Sequence, residues 1–237
     1  MVLDGVGRTF AGGAVVALKN LSLTVAPGEV VAVVGPSGCG KSTLLDLVCG
    51  LQRADAGSVR VPTGGAVLMP QGDTLLPWAT ALDNAALALR VAGTPRAQAR
   101  DQARAELDAL DLADFAHARP AALSGGMRQR IAVARTLLAR AQVVCLDEPF
   151  GALDAITRAA AQRWLTMTLA QRARTVLLVT HDTEEAVLLA DRILVLSPRP
   201  GRVVADIPVA LDHPREATDP GVVEIRARAL HALGAAR

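Results

Sequence analysis

Residues 30–42 constrain this chain more than any other stretch. Val30–Val34 is an unbroken, valine-rich apolar run, as expected of a parallel strand covered on both faces. It leads into Gly35-Pro36-Ser37-Gly38-Cys39-Gly40-Lys41-Ser42, and a helix is predicted from about Ser42 to Cys49. In a strand–glycine loop–helix unit, glycines let backbone N–H groups converge on phosphate oxygens, and the helix N-terminus adds its positive dipole end. The segment fits G-x-x-x-x-G-K-[ST], which assigns this loop, with Thr43 beside it, to nucleotide phosphates. Lys41 is placed to reach the β- and γ-phosphates, and the Ser42 hydroxyl to coordinate Mg²⁺. Of the 25 basic residues only Lys19 and Lys41 are lysines, which sets Lys41 apart. The motif points to Mg-ATP.

The rest of the composition bounds the answer. A chain of 237 residues suits one large α/β domain or a core with an inserted lobe. It should bury roughly three-quarters of its unfolded surface, without a disulfide or metal staple. Apolar residues make up 51% and aromatics 2%, so Ala, Val, Leu and Ile must build the core. A net charge of +2 gives no argument for a nucleic-acid partner or an anionic membrane surface. Cys39, Cys49 and Cys145 are odd in number and lack C-x-x-C spacing, which argues against zinc and an oxidised framework. No basic stretch leads into an apolar segment at the N-terminus, and no apolar run approaches the about 18 residues of a membrane span. A soluble, intracellular-type chain is expected.

Along the chain, the first third reads as β structure, with Val15–Leu18 and Leu21–Val25 as short strands and Ala26-Pro27-Gly28 as a turn. Leu82–Ala116 is Ala- and Leu-rich and charged, and reads as helices interrupted at Gly93-Thr94-Pro95. Met127–Arg140 reads as another helix, with Ile131, Ala134, Leu137 and Leu138 at helical spacing. Val143–Leu146 and Thr175–Thr180 are buried-type strands. A helix is predicted over Thr183–Ala190, with Glu184 and Glu185 suited to its N-terminal dipole. Arg192–Leu196 and Arg202–Ile207 flank Pro198-Arg199-Pro200-Gly201 as a hairpin, and a short amphipathic helix ends the chain. The expected class is α/β: a mostly parallel sheet flanked by helices, an N-terminal antiparallel region and an inserted helical subdomain. The expected division is a core of 1–72 and 124–210, a helical subdomain of 73–123 and a tail of 211–237.

Two further constellations carry chemistry. The strand Val143–Leu146 delivers Asp147 and Glu148 at its C-terminal end, where α/β sheets place their ligands. Asp147 would support Mg²⁺ through its water shell. Glu148, pointing differently, is positioned to polarise an attacking water. In Leu123-Ser124-Gly125-Gly126-Met127-Arg128-Gln129-Arg130, a Ser and two glycines immediately before a helix offer free N–H groups, a hydroxyl and a dipole, a second anion site. One ATP has no evident need of two such sites on one chain, but a second copy can supply one across an interface. Taken alone, Ser124 also reads as a helix N-cap.

The P-loop, the Leu-Ser-Gly-Gly segment and an acidic strand end 23 residues after Ser124 resemble an ATP-binding-cassette (ABC) ATPase over nearly the whole chain. That resemblance implies further roles. Gln71 matches the Q-loop glutamine that senses Mg²⁺ and the membrane partner. Gly151-Ala152-Leu153-Asp154 resembles the D-loop at a dimer seam. His181 matches the switch histidine that holds the γ-phosphate and catalytic water. Phe10 lies where the family stacks an aromatic on adenine, and Ser124, Gly125 and Gly126 where it grips the opposite nucleotide. Read singly, His181 is a core histidine and Gln71 a loop residue; their place in the motif series raises them. His117, His213 and His231 have no partners at metal spacing. Phe10 departs from the commoner tyrosine without losing a stacking face. Met127 stands where many members have glutamine, so a polar contact to the opposite nucleotide is expected to be lost.

Leu75-Leu76-Pro77-Trp78 and Ser197-Pro198-Arg199-Pro200-Gly201-Arg202 are similar to importer ATPases for nitrate, sulfonates, taurine and pyrimidine precursors of thiamine. Ala79 departs from the basic residue common there. Trp78 otherwise reads as a core aromatic of the lobe, and the Pro-Arg-Pro-Gly segment as a good turn. The resemblance implies an ATP-hydrolysing importer subunit, paired with a second copy on the cytoplasmic face of the inner membrane. It would dock on separate permease chains served indirectly by a substrate-binding protein. A DNA-repair ATPase would carry a coiled coil, yet only 82 residues separate Lys41 from Ser124. A translation factor would carry two cassettes. An iron–sulfur assembly ATPase, also a lone cassette, is the remaining alternative.

Overall fold

A computed structural model describes residues 1–171 and 174–235. The chain runs through β1 (Val2–Phe10), β2 (Val15–Thr24), β3 (Val30–Val34) and α1 (Lys41–Val48), then β4 (Ala56–Arg60) and β5 (Ala66–Met69). Three helices follow, α2 (Ala81–Ala85), α3 (Leu87–Val91) and α4 (Arg96–Ala109), and then α5 (Gly125–Leu137). The remaining elements are β6 (Val143–Asp147), α6 (Ala155–Gln171), β7 (Thr175–Val179), α7 (Thr183–Leu189), β8 (Arg192–Leu196), β9 (Val203–Pro208) and α8 (Pro220–Ala235). No helix among the described residues is long and apolar enough to cross a membrane.

Two sheets form. β2, β1 and β4 make an antiparallel sheet of three strands, and the larger sheet has the order β5-β6-β7-β3-β8-β9. Its pairings are parallel except for the final β8–β9 hairpin. Every residue of β3, β6 and β7 is buried, so the sheet is sandwiched. Alternation along these strands sends Ala32, Val34, Val144, Leu146, Val176 and Leu178 into a core shared with the 81–137 helices. The opposite face sends Val31, Val33, Val143, Cys145, Leu177 and Val179 into a second core with α1 and the three-stranded sheet. An aliphatic interior built from Val, Leu, Ala and Ile follows from the shortage of aromatics.

Some boundaries differ from the sequence reading. The two short strands over 15–25 are one strand, β2, which carries Asn20 at φ 51°. The long helix α6 was not predicted. Its pattern hides it: Ile156 is 85% and Met167 63% exposed, while Gln162 and Thr168 are buried, so no apolar stripe at helical period stands out. The expected interruption at Gly93-Thr94-Pro95 is present between α3 and α4, with Gly93 at φ 86°.

Candidate functional site

Parallel pairing brings three strand ends to one level. Val33 of β3 and Asp147 of β6 both stand opposite Val179 of β7. The loops leaving these strands therefore open on the same edge, outside their carboxyl ends.

The first loop, residues 35–40, wraps the start of α1. Gly40 sits at φ 106°, and a Cβ there would come within 2.9 Å of the Ala17 carbonyl and 2.7 Å of Leu18 Cδ2. Backbone conformation and packing both demand glycine. Lys41 is buried, and its ammonium donates to the Gly35 carbonyl at 2.7 Å and the Pro36 carbonyl at 3.1 Å. Pro36, Ser37, Gly38 and Ser42 are exposed, Thr43 is half-buried, and Cys39 is buried, with burial pushing its thiol up against the opposing pull of Lys41. The Pro-Arg-Pro-Gly turn is more than a connection: Gly201 donates its N–H to the Ala17 carbonyl at 2.8 Å, and a Cβ at position 201 would collide with the Cys39 carbonyl.

The second strand end supplies two acids. Ser42 Oγ donates to Asp147 Oδ2 at 2.7 Å, so a hydroxyl and a buried carboxylate lie side by side. Burial raises the Asp147 pKa, the nearby Glu148 charge adds to the rise, and the Ser42 bond opposes it. Glu148 follows at φ 48°, a region costly for a residue with a Cβ. Its N–H donates to the Val179 carbonyl at 2.8 Å.

The third strand end presents His181. Asp182 donates its N–H to Thr180 Oγ1 at 3.0 Å and accepts from the N–H groups of Glu184 and Glu185 as the N-cap of α7, so His181 is held between two fixed residues. Its Nδ1 lies 3.1 Å from Glu148 Oε1. Gln71 Nε2 donates to Glu148 Oε2 at 3.0 Å. Both carboxylate oxygens of Glu148 therefore have a neighbour, which fixes the carboxylate plane.

Other predicted positions lie apart. Ser124 is the N-cap of α5, accepting from the Met127 N–H at 3.2 Å. With Gly125 it is exposed and, among the described residues, makes no hydrogen bond to the 35–42 loop. Phe10 ends β1, and the Arg8 guanidinium covers one face of its ring at 4.9 Å from the centroid. Arg8 is itself tied to Asp55 and Gln52. The lobe-core alternative for Trp78 is overturned: the side chain is 71% exposed.

Three residues to which the sequence reading gives no role organise the site, Gln129 within the motif starting at Leu123 and Asn84 and Arg135 outside any motif. Gln129 is buried in α5, donates to the Glu148 carbonyl at 2.8 Å and accepts from the Ala152 N–H at 3.0 Å. Its sequence signal is faint: a polar residue on the buried face of a helix. Arg135 reaches from α5 to the Thr74 carbonyl at 2.9 Å and the Asp73 carbonyl at 3.1 Å, while Arg128 pairs with Asp73 at 2.8 Å. The segment after Gln71 is thus fastened to α5. Asn84, fully buried, accepts from the Leu76 N–H at 2.7 Å and donates to the carbonyls of Leu76, Ala79 and Thr80. It staples the turn that presents Trp78.

Comparison with known proteins identifies relatives of this chain. Residues 18–151 match the family described as ABC transporter. The chain is 47% identical over 212 residues to the taurine import ATP-binding protein TauB of Chromobacterium violaceum, covering 86% of this chain and 81% of that protein. It is 47% identical over 232 residues to the aliphatic sulfonates import ATP-binding protein SsuB 1 of Streptomyces avermitilis, covering 98% and 85%. Among solved structures it resembles the dimeric ATP-binding cassette MJ0796 in a post-hydrolysis state bound to ADP and Pi. The TM-score there is 0.80 at 30% identity, over 89% of this chain and 99% of that one.

Proposed function

Because this chain belongs to the ABC transporter family and is an ATPase of that family, we propose that it powers an importer for a small sulfonate-like solute. Two copies would sit beneath separate permease chains on the cytoplasmic face of the inner membrane, with a binding protein delivering the solute. The observation that carries the reading is the convergence of Lys41, Ser42, Asp147, Glu148, Gln71 and His181 on one sheet edge. The relatives' names support an import role and the solute class. Nothing in the site or in those relatives favours the iron–sulfur alternative. The division into a core of 1–72 and 124–210, a helical lobe of 73–123 and a tail of 211–237 is part of the same proposal.

ATP would bind with its phosphates in the 35–43 loop, where Lys41 exchanges its carbonyl partners for phosphate oxygens. The residues fit a magnesium ion: Ser42 Oγ and Asp147 Oδ2 are hard oxygen donors 2.7 Å apart, and a cation would relieve the burial of the Asp147 charge. Gln71, which reaches Glu148 Oε2 at 3.0 Å, would be the third ligand. The ion would neutralise phosphate charge when bound. Glu148 would accept the proton of the attacking water as general base, with Gln71 and His181 holding its carboxylate. Phe10 would stack adenine on the ring face away from Arg8. Exposed Ser124 and Gly125, with half-buried Gly126 behind them at the start of α5, would close on the nucleotide of the partner copy.

The test is reconstitution with the permease pair and binding protein in liposomes. ATPase activity should rise on addition of taurine or a short alkanesulfonate, with nitrate and a pyrimidine as comparison solutes. Stimulation by none of them, with basal hydrolysis intact, would refute the solute class.

A further inference from the structure

The backbone around Glu148 is in an unfavourable conformation that something must hold. Glu148 has φ 48° and precedes Pro149, and the pre-proline position favours extended backbone. Such conformations persist where surrounding contacts over-determine them. Two contacts pin the peptide groups on either side. On the N-terminal side, the Glu148 N–H donates to the Val179 carbonyl at 2.8 Å. On the C-terminal side, the Glu148 carbonyl accepts from Gln129 Nε2 at 2.8 Å, and more weakly from the Gly151 N–H at 3.3 Å.

Gln129 also clamps the far end of the same loop through the Ala152 N–H at 3.0 Å. One carboxamide thus spans residues 148–152 with both of its functional atoms. It does so from α5, one turn beyond the Ser124 cap. The helix is locked to the loop there: a Cβ on Gly126 would lie 2.7 Å from Leu153 Cδ2. Gln129 is 6% exposed, and an apolar side chain of similar volume would pack better unless the polar atoms were needed.

We infer that Gln129 is a positioning residue for hydrolysis: it fixes the Glu148 peptide in the conformation that aims the carboxylate, and it ties that conformation to the Ser124–Gly126 end of α5. The inference rests on the reading of Glu148 as general base. A misplacement of about 1 Å in a reacting group can lower a rate by roughly 10²-fold. Gln129→Leu removes both hydrogen bonds. Gln129→Glu keeps the acceptor toward Ala152 and loses the donor toward Glu148, so it carries the test if Gln129→Leu does not fold.

The expected result in the purified protein is a split between parameters. In both variants kcat falls roughly 10- to 100-fold, while ATP stoichiometry is unchanged and ATP affinity stays within about two-fold of wild type, because ground-state binding is untouched. A purely structural role would instead lower the bound stoichiometry in proportion to activity, and that outcome overturns the inference. So does a wild-type kcat in both variants. Combined with Glu148→Gln, neither variant should reduce kcat much further, since both act through one group; full multiplicative loss refutes the shared route. If Glu148→Gln alone turns over at the wild-type rate, the base assignment falls and the inference with it. A deficit in Glu148→Gln beside wild-type kcat in both Gln129 variants overturns the inference alone.

Discussion

The edge of the large sheet and the helices over 81–109 are held by different means. At the sheet edge, position is set by backbone: three fully buried strands in parallel register bring their ends level. Among the helices, position is set by side chains acting as staples. Arg100 grips Asp83 through two hydrogen bonds of 2.9 and 2.7 Å between α4 and α2, and Asn84 ties down the 76–80 turn. The Arg100 bonds, the Thr80 hydroxyl and the Arg charges together hold the Asp83 carboxyl below its ordinary pKa against the cost of burial. A carboxyl lowered in the folded state adds stability above its unfolded pKa and loses it as pH falls through the folded value. The lobe should therefore loosen in acid sooner than the sheet. The contrast teaches that hydrolysis chemistry is built into the topology, whereas the surface around Trp78 depends on a few replaceable contacts. Four substitutions can break or sharpen that contrast.

The largest effect is expected at the sheet edge. Glu148→Gln should slow hydrolysis by about 10²–10⁴-fold, the range for losing a general base, while ATP still binds and the protein accumulates as an ATP-bound dimer on size exclusion. Near-wild-type turnover would mean that the acid pair has been misassigned. Lys41→Ala comes next. Charge-assisted bonds from its ammonium are worth roughly 1.5–3 kcal/mol each, so ATP affinity should fall at least about tenfold, read by direct titration. Both changes should leave the unfolding midpoint of the lobe alone, which hydrogen exchange of residues 81–109 would check.

The lobe should answer the opposite way. Asn84→Ala leaves the Leu76 N–H and the Ala79 carbonyl without their side-chain partner, while the Leu76 and Thr80 carbonyls keep backbone N–H donors from residues 79 and 84. Each unsatisfied buried group costs about 1–3 kcal/mol, partly recovered because the turn borders solvent. A loss of about 2 kcal/mol would lower the midpoint by roughly 4–8 °C in a chain this size, with ATP affinity unchanged. An equal loss of ATP affinity would show the two regions to be one unit, and the contrast would fail.

What could be read from the sequence divides along the same line. The P-loop, the Asp147–Glu148 pair and the buried strands were legible because continuous valine-rich runs ending in Gly or acid have few other meanings. The helix breaks around Gly93-Thr94-Pro95 were legible for the same local reason. Gln129, Asn84 and Arg135 were not, because their roles depend on which backbone groups arrive opposite them from distant segments. α6 escaped because its exposed Ile156 and Met167 blur the apolar period. The 15–25 region reads as two strands, 15–18 and 21–25, yet pairing with β1 continues past Lys19-Asn20 with a shift of register between Val6 and Arg8.

The smallest change in the isolated subunit is expected at Trp78, although its consequence in the assembled transporter should be large. The side chain is 71% exposed at the tip of a turn closed by the Ala79 N–H to the Leu76 carbonyl at 3.1 Å. Pro77 restricts the backbone before it, and buried Leu75 anchors the approach. A core tryptophan would cost about 3–5 kcal/mol on truncation, but an exposed one should cost no more than about 0.5 kcal/mol. Trp78→Ala should therefore keep the midpoint and basal ATPase activity. On the proposed permease surface, a tryptophan held out on a stiff, stapled turn has the character of an interface anchor, and its loss should weaken docking by more than about 1–2 kcal/mol. Binding to the reconstituted permease, measured beside the unfolding midpoint, decides the matter. Unchanged affinity would remove Trp78 from the docking surface. A large drop in midpoint would mean that the turn is part of the lobe's packing after all, and that the staples at Asn84 and Arg100 hold more than an outward-facing surface.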